Sequence, residues 1–553
     1  MKLPDKYGYG NLFGYSGLDG ENSHDEDYIG MTMSEPLTIR FDDPRGKVKL
    51  HLDAEEDTFA YILPDAIRTD WTCLAFADQH TIIGKSKAVP ELYGSSGCCN
   101  RPNENVSILR NGPFWYVLCR DGASFVLCKH TAQEEAIRLA KRGLDMDIEE
   151  LMERKLDYYR NLPPCPEPAY EKLYYKALSV NKVNVYSPQN GFACRSTTPD
   201  RLPHRHVWLW DSMFHAIAIA RYNPSLAKES ILAVLQCQRE DGFIPHMMKS
   251  KDEVSSITQP QVIAWAALEV YRSTEDLGFL WKTASSISAY LRWFLHNRDE
   301  NQNALPEWKT DFYNTHCRCD ESGMDNSPRF DTTEKLDAID SASFMVHDCR
   351  CMAEICDIIG DSSAEAFFTA TANRIAEQVN RLLWSEEKGV YCDRTFSGRL
   401  TGVMTCASFL PLFAGICTSE RAGRLVGLLT DPGKFWSVMP VPSVSQDDPA
   451  YGTDMWRGAV WLNYNYMILQ GLKRYGYTEQ AEKLRRRTLL EVERVFEETG
   501  MIFEFYDPDG KRIPWSMRRK GEQPLFPDYR VKIHSITDYN WSASFILLML
   551  LKD

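Results

Sequence analysis

The sequence predicts a mainly α protein, an (α/α)6 barrel preceded by an N-terminal β-sandwich-like domain and a helical linker. Three observations predict it. Apolar and polar residues alternate with period two up to about residue 130, as in half-buried strands. A proline cluster, Pro163-Pro164-Cys165-Pro166, then interrupts the chain. From about residue 167 onward the apolar period becomes 3.6. The expected boundaries are therefore 1–130 for the β-rich domain, 131–166 for the linker and 167–553 for the barrel.

In the first region, Pro36 to Phe41 and Lys47 to Leu52 alternate cleanly. The clearest hairpin runs from Phe114 to Cys119 and back from Ser124 to Cys128, and Asp121-Gly122 supplies the positive φ a tight turn demands. Short strands with frequent turn signals suggest a sandwich. The charged stretch from Gln133 to Arg160 reads as the linker helix.

Beyond the prolines, helices are expected at 168–183, 209–221, 224–238, 260–273, 276–297, 337–359, 363–384, 403–413, 419–430, 457–475, 478–498 and 538–551. Phe368, Ala372, Ile375, Val379 and Leu382 share one face, as do Ala481, Leu484, Thr488, Val492 and Val495. Six helical hairpins of about 60 residues close into a barrel, and no solenoid repeat of about 34–47 residues is visible. The long stretches between helices, 184–208, 239–258, 298–336, 431–456 and 499–537, are where chemistry is expected.

Composition excludes several function classes. With 44% hydrophobic and 25% charged residues, the chain is a packed globule, and disorder is excluded over most of its length. A net charge of −14 repels phosphate backbones, so nucleic acid is not an expected partner. No apolar run reaches the ~20 residues of a membrane span. Met1 to Tyr7 contains no apolar leader core, so a cytoplasmic location with reduced thiols is expected. Two clusters, His316-Cys317-Arg318-Cys319 and His347-Asp348-Cys349-Arg350-Cys351, lack the paired knuckles of a structural zinc site, so no metal is expected.

Four segments carry candidate chemistry. Glu321-Ser322-Gly323-Met324-Asp325-Asn326-Ser327-Pro328-Arg329-Phe330-Asp331 packs three carboxylates and a guanidinium around a turn; an Asx-turn in a solvated loop explains it equally well. Phe503-Glu504-Phe505-Tyr506-Asp507-Pro508 sets an acid among rings, either as strand alternation or as a carboxylate against apolar walls, where its pKa tends upward. Trp208-Leu209-Trp210-Asp211-Ser212 opens a helix that Asp211 could simply cap. Trp456-Arg457-Gly458-Ala459-Val460-Trp461 repeats the pairing of a ring with a charge at a helix entrance. Rings beside charged groups suit a pyranose, which offers a C–H face for stacking and vicinal hydroxyls for hydrogen bonds.

These segments, in their order along the chain from Trp208 through Glu321 and Trp456 to Phe503, resemble the motif set of glycoside hydrolase family 63 and its mannosylglycerate-hydrolase-like relatives. The resemblance covers about 167–551 and rests most on the Glu-Ser-Gly-Met-Asp-Asn-Ser-Pro-Arg string. It implies an (α/α)6 barrel that hydrolyses α-glycosides with inversion and without a cofactor. Carried over by position, Asp325 matches the general acid and Glu504 the general base. Trp210 and Asp211 match residues that hold the terminal sugar, Asn326, Arg329, Trp456 and Arg457 its surroundings, and Gln259 in Thr258-Gln259-Pro260 another sugar-site segment. Ala459 stands where relatives often have Pro, and Phe330 where many have Trp. The trehalase form of the string, Glu-Ser-Gly-Trp-Asp-Phe-Ser-Ser-Arg, is absent. The expected substrate is a small carbohydrate: a terminal α-linked sugar, glucose, on a short oligosaccharide or glycosyl-glycerate-type solute. Inversion requires carboxyl groups roughly 6.5–9.5 Å apart. Glu307, Glu321, Asp331 and Asp454 are competing acids. A phosphorylase on the same fold, or a non-catalytic sugar-binding protein, is the alternative.

Overall fold

The computed structural model describes residues 28–32, 38–43, 46–51, 61–62, 66–68, 71–94, 99–200, 204–314, 317–332, 334–520 and 534–551. They form two compact units. The first comprises residues 1–189, 195–205 and 496–501, and the second 190–194, 206–495 and 502–553.

The first unit is built on two antiparallel sheets. One has strands β1 (Tyr28–Thr32), β2 (Thr38–Asp43), β3 (Gly46–His51) and β8 (Glu91–Gly94), in that order. The other contains β4 (Tyr61–Ile62), β5 (Ile67–Arg68), β6 (Thr72–Asp78), β7 (Thr81–Ser86), β9 (Asn100–Asn103), β10 (Val106–Asn111), β11 (Phe114–Asp121) and β12 (Ser124–His130). Its order is β4-β5-β6-β7-β12-β11-β10-β9. The expected hairpin is β11–β12, with Asp121 paired to Ser124. Asp121 ends the strand and Gly122 alone takes the positive φ, 58°, so the turn needs a glycine only at its first loop position.

Residues 131–166 are not a free-standing linker. They form α1 (Gln133–Leu144) and α2 (Ile148–Arg160), whose Ala136, Ala140, Ile148, Leu151 and Met152 share one apolar core with Ala75, Ile83, Val117, Val126 and Cys128 of the sheet. Most of the charged residues of these helices are exposed, with Lys155 of α2 a buried exception, and the apolar side is what covers the sheet. Helix α3 (Glu171–Val183) also falls in the first unit.

The second unit is the barrel. Each of the twelve predicted stretches contains a helix among the described residues. Six form the inner ring: α4 (Leu209–Ile219), α6 (Ile263–Thr274), α8 (Ile339–Ile359), α10 (Leu410–Ala414), α12 (Leu462–Arg474) and α14 (Asn540–Leu551). Each packs on the next, and α14 closes on α4. The outer helices of this unit are α5 (Pro224–Leu235), α7 (Leu277–Asn297), α9 (Ser362–Leu382), α11 (Ser419–Leu429) and α13 (Thr478–Thr499). Sequence pattern decides which layer a helix joins. Every residue of α4 is buried, and so is α14 from Asn540 to Leu550, because both are apolar all round. In α9 only Phe368, Ala372, Ile375 and Val379 are buried, a single stripe.

Inner helices leave through short turns, 220–223, 275–276, 360–361, 415–418 and 475–477, and are entered through long connections, 236–262, 298–338, 383–409, 430–461 and 500–539. That alternation puts the points where these connections enter the inner helices at one end of the ring. Among the described residues no helix is long and apolar enough to cross a membrane.

Candidate active site

The long connections are stitched to one another by hydrogen bonds. In the 298–338 connection, a one-turn 3-10 helix, Asp320–Ser322, ends at Gly323, whose φ is +70°. A β-carbon there would lie 2.3 Å from Cζ2 of Trp210, so no other residue fits. Three ion pairs hold this turn and the residues after it. Glu321 is fully buried; it accepts from Arg298 Nη2 at 2.6 Å and Nε at 2.9 Å, from the Lys309 amide at 2.8 Å and from the Thr258 amide at 3.3 Å. Arg329 donates to Asp340 at 2.6 and 2.8 Å and to both oxygens of Asp393 at 2.8 Å. Asp325 lies between these anchors and keeps a partly exposed side chain.

Glu504 enters from the 500–539 connection. Its backbone N–H donates to Ile536 O at 2.8 Å, while the neighbouring Tyr506 exchanges both backbone bonds with Val460. The carboxylate is almost completely buried. Its partner is Arg519, which donates from Nε to Oε2 at 2.9 Å and from Nη2 to Oε1 at 3.1 Å. Burial alone would loosen the guanidinium's proton, but the Glu504 carboxylate more than reverses this and holds the arginine pKa above its ordinary value. A buried cation, rather than the rings of Phe503 and Phe505 alone, therefore defines this carboxylate's setting.

The next residue, Lys520, forms an ion pair with Asp325. Here too burial lowers the pKa and the facing carboxylate raises it, with a net upward shift. The two carboxylates, from separate connections, are thus held by consecutive residues, whose Cα atoms are about 3.8 Å apart across a trans peptide.

Most of the other expected residues are buried. Trp210 is buried, edge-on to Trp541 at 5.2 Å, and its amide donates to Gln259 Oε1 at 3.2 Å. Gln259 is fixed through its carbonyl, which accepts from Tyr290 Oη at 2.9 Å. Asp211 is buried in the first turn of α4. Trp456 is fully buried and stacks flat on Trp461 at 3.8 Å. Asn326 joins two motifs: its Nδ2 donates to Asp454 Oδ1 at 3.2 Å, and its Oδ1 accepts the Trp456 amide at 3.0 Å. Arg457 is half-buried and paired with Asp331. Of the competing acids, Glu321, Asp331 and Asp454 are thus engaged in tying loops together. Glu307, whose pKa burial pushes up to about 7, accepts the Glu300 amide at 2.9 Å.

Among the described residues one group of potential metal ligands converges, Cys317, Asp320 and Asp325, and the Lys520 ammonium already stands in it, 3.2 Å from the thiol. His316 lies outside the described residues. In the second His/Cys cluster, Asp348 turns to the α6 N-terminus and accepts the Ala264 and Trp265 amides, both at 2.9 Å.

The sequence profile described as "Mannosylglycerate hydrolase MGH1-like glycoside hydrolase domain" matches residues 204–542. The chain belongs to this family of glycoside hydrolases. A mannosylglycerate hydrolase of Rubrobacter radiotolerans is 25% identical over 402 residues, 56% of this chain and 88% of that protein. Mannosylglycerate hydrolase MGH1 of Selaginella moellendorffii is 25% identical over 432 residues, 62% of this chain and 83% of the relative. The crystal structure of a GH63 mannosylglycerate hydrolase from Thermus thermophilus in complex with glucose superposes with a TM-score of 0.56 at 22% identity. It covers 69% of this chain and 100% of its own, a likeness of fold.

Sequence reasoning passed over three features of this glycosidase's site. Arg519 and Lys520 sit in Arg518-Arg519-Lys520, three successive cations in a chain of net charge −14, which was a usable signal. Asp393, on the 383–409 connection, had none: its link to Arg329 spans 64 residues.

Proposed function

We propose that this glycosidase hydrolyses a terminal α-linked hexose, glucose or mannose, from a glycosyl-glycerate-type solute with inversion at the anomeric carbon. The observation that carries the reading is the convergence of Asp325 and Glu504 on the Arg519–Lys520 dipeptide. In it, Asp325, partly exposed, gives its proton to the departing glycosidic oxygen. Glu504, buried and facing a guanidinium, takes a proton from the water that attacks from the opposite face. The C–O bond to the aglycone breaks as the bond to water forms, and no cofactor enters. Trp210, Asp211, Gln259, Arg329 and Trp456 shape the sugar site from behind, and Asn326 and Arg457 line its approach. The names and the glucose complex of the relatives support the substrate class.

A phosphorylase would need a basic pocket for phosphate, and the two cations nearest the carboxylates are each engaged by one. The test is kinetic. On glucosyl- and mannosyl-glycerate, Asp325→Asn and Glu504→Gln should each lose roughly a thousandfold or more in kcat. Full activity in either variant, or release of sugar 1-phosphate when phosphate is supplied, contradicts the reading.

A further inference from the structure

The segment that carries Arg519 and Lys520 is bonded into the catalytic loop at more points than the two ion pairs. The Lys520 amide donates to Asp454 Oδ1 at 2.7 Å, and the same oxygen accepts from Asn326, the neighbour of Asp325. Two residues earlier, Arg518 O accepts the Met455 amide at 3.2 Å. A closed circuit results: Asp325, Asn326, Asp454, Lys520 and back to Asp325. Lys520 adopts φ +59°, in the left-handed region that a lysine avoids in the absence of surrounding constraint. This backbone turn accompanies an arrangement in which adjacent side chains reach different carboxylates, Arg519 to Glu504 and Lys520 to Asp325.

We infer that Arg519-Lys520 is a positioning clamp that fixes the orientation of the two carboxylates relative to one another. The inference rests on Asp325 and Glu504 being the acid and base. Lys520 occupies Oδ2 of Asp325, so the transferable proton is confined to Oδ1 and the acid presents one defined oxygen to the leaving group. Arg519 occupies one lone pair on each oxygen of Glu504, and the Ile536 amide donates to Oε2 at 3.4 Å, which fixes the plane of the base and leaves a lone pair on Oε1 to accept from water. Other charges are near: Asp320 lies 4.0 Å from the ammonium, Cys317 touches it, and Tyr539 adjoins Arg519. None of them bridges the two carboxylates.

The experiment compares Lys520→Met, Lys520→Arg and Arg519→Lys with wild type, beside Asp325→Asn and Glu504→Gln, on one turned-over α-glycoside. Lys520→Met should lower kcat roughly tenfold or more with KM within about twofold and an unchanged unfolding midpoint. Lys520→Arg should restore most of that loss, and Arg519→Lys, which keeps the charge but loses the two-pronged geometry, should also lower kcat. Wild-type kcat in Lys520→Met, with Asp325→Asn and Glu504→Gln inert, overturns the clamp and leaves the proposed function standing. A fall in Lys520→Met that appears wholly in KM, or only with a lowered unfolding midpoint, also overturns it. Activity in Asp325→Asn or Glu504→Gln removes the premise as well.

Discussion

Gly323 passes so close to Trp210 that a β-carbon on it would stand 2.3 Å from the indole Cζ2, and its φ of +70° is one that side chains disfavour. The ring cannot retreat, because Phe214 and Trp541 pack against it at 5.3 and 5.2 Å. Gly323→Ala is therefore expected to cost about 2–4 kcal/mol, the sum of a left-handed alanine and an overpacked core. Asp325, two residues on, should shift with the turn, and kcat should fall by about a hundredfold. Urea unfolding and steady-state kinetics on the same preparation check both.

Arg329 balances two buried carboxylates, Asp340 and Asp393. Replacing it by methionine leaves both uncompensated in the barrel interior. The expected loss is about 3–5 kcal/mol, as for one partner of a buried pair, and it should appear as a lowered urea midpoint. Breaking an exposed pair such as Arg399–Glu334 should by contrast leave the urea midpoint almost unmoved.

His215 and His347 are buried, and burial pushes each pKa down to about 3, with Arg474 adding to the effect at His347. The folded state keeps them neutral while the unfolded chain takes up protons below about pH 6.5. Each histidine's contribution is thus complete above about pH 6.5. It is lost as pH falls toward 3, at about 1.4 kcal/mol per pH unit. Glu307 and Asp348, raised by burial to about 7, act in the opposite sense, gaining stability as pH falls from about 7 to about 4. The histidine term is read as a difference: between pH 6 and 4, His347→Asn should lose stability less steeply than wild type by about 1.4 kcal/mol per unit. Parallel curves in urea unfolding would contradict it.

What could be read from the sequence follows from where the information lies. Helices were legible because a stripe such as Phe368, Ala372, Ile375, Val379 and Leu382 is local; the first four are buried and Leu382 is half-buried. Phe545–Leu550 is apolar throughout, and α14 is an inner helix in the structure. The stretch 131–166 was legible as helical but not as part of the first unit, since Ala136 and Leu151 show their use only against Val126 and Ile83 of the sheet. At the site, the Asp325 and Glu504 motifs stood out by composition. The partners of Arg329 could not, because Asp393 lies 64 residues on and Asp340, 11 residues on, meets it only once α8 has formed. Nor does local sequence reveal that Lys520 turns left-handed to reach Asp325; that follows from closure of the ring.

The central claim is that Asp325 and Glu504 act as acid and base on opposite faces of one sugar, and the stereochemistry of the product tests it most directly. A proton NMR time course on an α-linked glycosyl-glycerate should show the β-anomer of the free sugar first, with the α-anomer growing in only by mutarotation. Initial release of the α-anomer would contradict the account.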